Sequence, residues 1–524
     1  TWYTPETLQA GVDNAFRFGG ANGVFSVTTS GSLSGPFSLE VGADMLPNGF
    51  AITNGNGQLR LYGDQSYTGN TIIRRNREGG SVQNFLDISG SSQSPVFDVY
   101  GRLMARGAGR FTNPDGTQKN TVNLYPGSIL RLDYSMDVAD HQTINRLANS
   151  NLGLAIHENK WGDTEEMLLN GATLNLVSSS GRVNREVIGV LEVRGGAALL
   201  LERNTTNGQI ILETPSITRT GQATFDVREN ADELGRVDLQ SQKFFINNGS
   251  GMEDAQGLLP VWMINPTRNT FLTYNDDLGV QNAAFTSSTT AAGTGATFLG
   301  GLTSASVASY GVGVGDATLT GTIDVHALRI SHEAASNDTV LTGGQINIHS
   351  GGLIVDNRDN ARVNFDTTAV YFGDGVTPGE GIIYSDQNNI TTRMGGVVTA
   401  DDLTMHGAGN LQLTNTANVI TGNIQMNGGR LFLDGVGTAG TNTTITLSGN
   451  YLQNNDGNQM PELYLRTLNA TATWTNGIVV AENVPYVRVL GQSLDGTSLT
   501  TVRNQTIPSL MVEGTSTLQG TTFI

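Results

Sequence analysis

Apolar residues two positions apart recur along the chain, separated by Gly, Asn or Asp, and each such pair lies on one face of a short strand. Between positions 403 and 447 the pairs Leu403/Met405, Leu411/Leu413, Ile424/Met426, Leu431/Leu433 and Ile445/Leu447 form two interleaved series. Leu411 and Leu431 are 20 residues apart, and 21 residues separate Leu403 from Ile424 and Ile424 from Ile445. A period near 20 means that each turn of a coil restarts the same strands. Leu328/Ile330, Ile346/Ile348, Leu353/Val355, Val363/Phe365, Leu463/Leu465 and Ile478/Val480 continue the theme, with loops of differing length absorbing the drift. Stacked coils bury the inward residues in one apolar column and pair every strand with the coils above and below. The pattern predicts an all-β chain, an elongated right-handed parallel β-helix (solenoid) with a few protruding loops or hairpins. The hand follows from crossover chirality in parallel sheets. At roughly 20–25 residues per coil and about 4.8 Å of rise, it would be a rod on the order of 100 Å long.

Helical periodicity is confined to the stretches Asp137 to Asn149 and Trp161 to Leu169. The glycine pairs Gly343-Gly344, Gly351-Gly352 and Gly428-Gly429 stand just before strands, where a tight corner needs positive φ. Two stretches interrupt the alternation. From Gly257 to Gly279 the chain is aromatic-rich, with Trp262, Phe271 and Tyr274, and reads as a local β-hairpin or protruding flap; Ala283 to Ala296 is rich in Ala, Ser, Thr and Gly and reads as a surface loop or flexible connector. Residues 1–256 and 301–524 are therefore two β-helical segments, divided at 257–300.

Composition narrows the function. Charged residues are only 15% of the chain, against about 25% in ordinary soluble domains, and the net charge is −18. Lysine is confined to Lys119, Lys160 and Lys243, and no stretch gathers the basic residues a phosphate backbone needs, which argues against nucleic-acid binding. The absence of cysteine excludes disulfides, thiolate metal sites and cysteine nucleophiles. No apolar run approaches the roughly 18–20 residues that span a bilayer, so this segment is not expected to insert into a membrane. A start at Thr1 without Met or signal peptide suggests a mature or excised segment.

Gly57, Leu59, Leu61, Gly63, Tyr67, Thr68, Gly69, Thr71 and Ile73 form one copy of a pattern, and Gly409, Leu411, Leu413, Ile420, Thr421, Gly422, Ile424, Gly428, Gly429, Leu431 and Leu433 a second. These copies resemble the autotransporter-associated β-strand repeat, which reads approximately G-x-L-x-L-x-G, then Y-T-G-x-T-x-I, then G-G-x-L. The second copy departs at the aromatic position, where Ile420 stands. The resemblance covers about 100 residues. It implies a parallel β-helix passenger of a large bacterial surface protein, exported and displayed on or released from the cell, with an adhesive or structural role.

Candidate chemistry is sparse. The six histidines, His141, His157, His326, His332, His349 and His406, have no metal-ligand spacing and read as surface or corner residues. Glu158, Asp163, Glu165 and Glu166 read as a solvated acidic face. The Asn454 to Asn458 turn is oxygen-rich but has no bidentate Glu at the twelfth position, so calcium is the one cofactor left open and none is expected. The triplets that mark β-helical polygalacturonases are missing, and no catalytic residue is assigned. The leading expectation is a non-enzymatic extracellular structural protein of the bacterial surface that stacks end to end into a fibre or layer. The alternatives are an adhesin that binds glycans or host protein through the aromatics Trp2, Tyr3, Trp161, Trp262 and Tyr274, of which Trp161 and Trp262 fit the core equally well, and a β-helical polysaccharide lyase or hydrolase.

Overall fold

The computed structural model describes residues 2–3, 7–19, 23–42, 57–74, 85–90, 92–106, 111, 121–135, 156–157, 166–180, 183–203, 208–230, 234–236, 241–288, 295–311, 316–331, 338–356, 362–386, 390–450, 461–469, 471–482, 484, 486–494, 504–513 and 517–520. Within them the protein is all-β and built on parallel sheets. The chain visits its sheets in turn and then returns to the first, so that strands distant in sequence become neighbours in the ladder. As far as Asn282 the strands fall into principal sheets of twelve, eight and four; from Thr286 onward they fall into sheets of ten, nine and five.

The register follows the apolar pairs. Leu403 and Met405 lie beside Ile424 and Met426, which lie beside Ile445 and Leu447, and these beside Ile478 and Val480. On the adjoining sheet Leu411/Leu413, Leu431/Leu433 and Leu463/Leu465 stack in the same way. All these side chains are buried; the residues between them point the other way, where Gln412, Gln425, Phe432, Thr446 and Val479 are partly exposed and Thr404 and Tyr464 are buried by neighbouring structure. Gly429 shows why a corner demands glycine. Its φ is 70°, and a Cβ there would sit 2.2 Å from the carbonyl oxygen of Gly409 in the preceding coil.

The sheets change over between Gly279–Asn282 and Thr286–Ser288. Strand Met263–Asn265 extends the first sheet in parallel from Thr224–Glu229, then pairs antiparallel with Thr270–Asn275, which pairs antiparallel with Gly279–Asn282. The reversal is local. Asn265 Oδ1 accepts the Thr267 N–H at 3.0 Å and Asn269 takes the left-handed conformation, φ 49°. The expected hairpin is present, but it does not protrude: Leu258, Leu259, Phe271, Leu272 and Val280 are buried, and the hairpin covers the end of the first stack. The start of the second stack is covered too, by helix Gly295–Gly300, whose Leu299 is buried and whose Phe298 stacks on Tyr310. The segment expected to be a loop thus contains strand Thr286–Ser288 and the start of this helix.

Two further expectations are corrected. Met167–Asn170, taken as the end of a helix, is a strand paired with Leu191–Arg194, because Met167 and Leu169 point inward with Leu168 between them facing out. The stretch Asp137 to Asn149 lies outside the described residues. The single long rod is replaced by two stacks folded back side by side. Ten parallel strands at about 4.8 Å span on the order of 45 Å, roughly half the length expected.

The fold-back is read from contacts along the seam. Gly196 N–H donates to Gly449 C=O at 3.0 Å. Farther along the first stack, the Gln222 carbonyl accepts from Asn427 Nδ2 at 2.8 Å and Gln425 Nε2 at 3.1 Å, and Gln222 Nε2 donates to Thr404 at 3.1 Å. Farther still, Val261 and Phe271 pack on Gly352. As the first stack advances its partners recede from 449 to 352, so the two axes are antiparallel. Glycine makes the contact possible: a Cβ on Gly195 would lie 2.5 Å from the Gly449 carbonyl oxygen.

Candidate binding cleft at the seam

Where the hairpin cap meets the second stack, a cleft of about 160 Å³ opens, lined by Arg228, Pro266, Thr267, Tyr384, Asp386 and Ala408. Each element contributes through its outward face. Strand Thr224–Glu229 buries Phe225 and Val227 in the core and turns Asp226 and Arg228 toward the other stack. Strand Gly381–Ser385 presents Tyr384, and strand Leu403–Gly407 sets His406 beside it, in register.

The lining is polar and partly desolvated. Arg228 lies 3.7 Å from Asp226, and Asp226 Oδ1 lies 3.5 Å from His406 Nδ1, with the Asp226 and His406 side chains only 3% and 2% exposed. The His406 ring meets Tyr384 edge to face at 5.0 Å, and neither of its nitrogens has a hydrogen-bond partner. Asp386 accepts from the Tyr384 hydroxyl at 3.2 Å and from Asn269 Nδ2 at 2.9 Å. Behind the cleft Glu229 is buried, accepting from Arg268 Nε at 3.0 Å and Asn265 Nδ2 at 2.8 Å. Burial outweighs those two partners and holds the Glu229 carboxyl above its ordinary value. A guanidinium, a carboxylate and hydroxyls around an apolar wall can hydrogen-bond a small polar ligand. Among the described residues no group of three or more His, Asp or Glu is placed to hold a metal ion.

The aromatics proposed as surface contacts are dispersed. The backbone of Trp2 and Tyr3 forms a short strand beside Ser26 and Val27. Trp161 lies outside the described residues. Trp262 is not a surface residue: it is 9% exposed, packed in the core beneath the Arg219 guanidinium at 5.6 Å. Tyr274 is half-buried, its hydroxyl donating to the Ile246 carbonyl at 2.8 Å and accepting the Ile246 N–H at 3.1 Å, and its phenol pKa is raised by burial. It ties down the cap.

The histidines also differ from expectation. His326 and His406 are buried, and His326 pairs with Asp254 at 2.6 Å across the junction of the stacks. His349 pairs with Asp324 at 2.9 Å. His141, His332, Glu158, Asp163, Glu165 and the Asn454 to Asn458 turn lie outside the described residues, while Glu166 is exposed. Sequence reasoning missed Arg228, Tyr384 and Asp386. Their only signal was polar and aromatic side chains at outward positions of strands whose far sides are apolar. Comparison of the chain with protein-family models, with curated proteins and with solved structures finds no match in any of the three.

Proposed function

We propose that the chain is an extracellular structural protein of the bacterial surface, non-enzymatic, with each stack a right-handed parallel β-helix of the kind the autotransporter-associated repeat implies. The observation that carries this reading is that outward charges are tied to neighbouring coils along the stack axis. Arg60 and Arg106 both pair with Asp87, Arg17 and Arg74 with Glu40, and Arg430 and Arg488 with Glu462. Such ladders join each coil to its neighbours along the stack axis, as suits a load-bearing or spacing body. The outward face serves the fold itself.

The cap alters how copies would assemble. Strand edges invite stacking where they are open, but at the junction both stacks are covered, by the hairpin and by helix Gly295–Gly300. Head-to-tail stacking cannot propagate through that end, so the reading favours a surface layer formed by lateral contacts over an end-to-end fibre. Negative-stain electron microscopy of the purified chain tests this. Compact particles on the order of 50 Å long that pack sideways with concentration are expected from the strand spacing. Filaments cross-linked through residues 257–282, or release of reducing sugar from a polysaccharide panel, would overturn it.

A further inference from the structure

We propose that the seam cleft is a binding subsite for one neutral saccharide unit, an inference independent of the structural role. Size sets the first bound. Drug-sized ligands occupy pockets of about 300 Å³ and above. The cleft, at about 160 Å³, takes one sugar ring, or about five waters at ~30 Å³ each.

Chemistry sets the second. Sugar hydroxyls are donors and acceptors at once, and the wall offers both partners: the Asp386 carboxylate to accept, the Arg228 guanidinium to donate, and the Thr267 hydroxyl oxygen, whose hydrogen goes to the Glu229 carbonyl at 3.3 Å, to accept. Pro266 and Ala408 supply an apolar surface for ring C–H groups. Charge sets the third bound. Two carboxylates, Asp226 and Asp386, stand against Arg228, and the chain carries a net −18, so a uronate or sulfated sugar meets no surplus positive field. A neutral ring is the fit.

The test is saturation-transfer NMR on the full chain with methyl glycosides of neutral hexoses, N-acetylhexosamines and uronic acids at millimolar concentration, followed by titration of any responder. Transfer to at least one neutral glycoside is expected, with weak affinity for a single ring. Ala408→Leu, which fills the cleft from a half-exposed position without removing a polar group, should weaken binding at least tenfold with an unchanged circular dichroism spectrum. Thr267→Val serves as a second variant if Ala408→Leu fails to fold, and should weaken binding severalfold. No transfer to any neutral glycoside would mean that the cleft holds water only and would overturn the proposal. So would binding that Ala408→Leu and Thr267→Val leave unchanged, or binding restricted to uronates and abolished by salt.

Discussion

The seam between the stacks makes a quantitative prediction at Arg219 and Glu380. Their side chains form a two-pronged pair, Nη1 to Oε2 at 2.6 Å and Nη2 to Oε1 at 2.7 Å, with 19% and 23% exposure. Arg219 Nε is anchored on the Ala223 carbonyl at 2.8 Å, and Glu380 also accepts from Thr404 at 2.5 Å, so neither group needs much ordering to meet the other. At an effective dielectric near 20 the gross attraction is about 4 kcal/mol, most of it offset by desolvation, which leaves a net coupling of about 1–2 kcal/mol. Arg219→Met and Glu380→Gln should each cost about 2 kcal/mol, because each strands a partly buried partner, while the double variant should cost about 1–2 kcal/mol less than the sum. The assay is urea unfolding read from Trp262 in the first stack and Trp474 in the second, with Trp2 and Trp161 replaced by Phe. In the single variants the two transitions should separate. Additivity within about 0.3 kcal/mol would refute the view that this pair clasps the stacks.

Two more predictions concern the core and the buried carboxyl. Leu431, fully buried between Leu411 and Leu463, should lose about 2–5 kcal/mol on replacement by Ala, seen as a lower urea midpoint; a loss under about 1 kcal/mol would mean the column is loosely packed. Glu229 has its folded-state pKa raised above the ordinary 4.5, mainly by burial, so its contribution is fully present below 4.5 and is lost as pH rises through the raised value. Glu229→Gln should therefore gain stability relative to the native chain between pH 4 and pH 8. Melting curves across that range in which the variant falls progressively behind would contradict the assignment.

Much of the repeating architecture was legible because a period-two alternation inside a period near 20 constrains register strongly. Leu403/Met405, Ile424/Met426 and Ile445/Leu447 read as one series and pair as one series. Gly428-Gly429 read as a corner and is one, with φ of 156° and 70°. What failed was whatever depended on contacts remote in sequence. Nothing local to Gly195 and Gly196 reveals that they abut Gly449. Trp262 fitted surface and core equally well in the sequence, and it is core, packed against Arg219 of its own stack. Met167 to Leu169 misled for a different reason: three consecutive apolar residues satisfy a helical and a strand pattern almost equally. The cleft was invisible because Arg228, Tyr384 and Asp386 come from opposite sides of the seam.

The two classes of contact also differ in when they can form. Ladder partners such as Leu411 and Leu431 are one coil apart, whereas the seam hydrogen bonds Arg219–Glu380, Gln222–Thr404 and Asn427–Gln222 join residues 161, 182 and 205 positions apart. Short-range contacts close early and cheaply, and long-range ones wait for the chain between them. The first stack can therefore zip up coil by coil while its seam edge at Gly195, Gly196 and Gln222 is still bare. Until residue 380 and beyond have coiled, those positions stand without their seam partners. The antiparallel return of the second stack thus completes the first one late, and the first half must hold together on its ladder contacts alone until then.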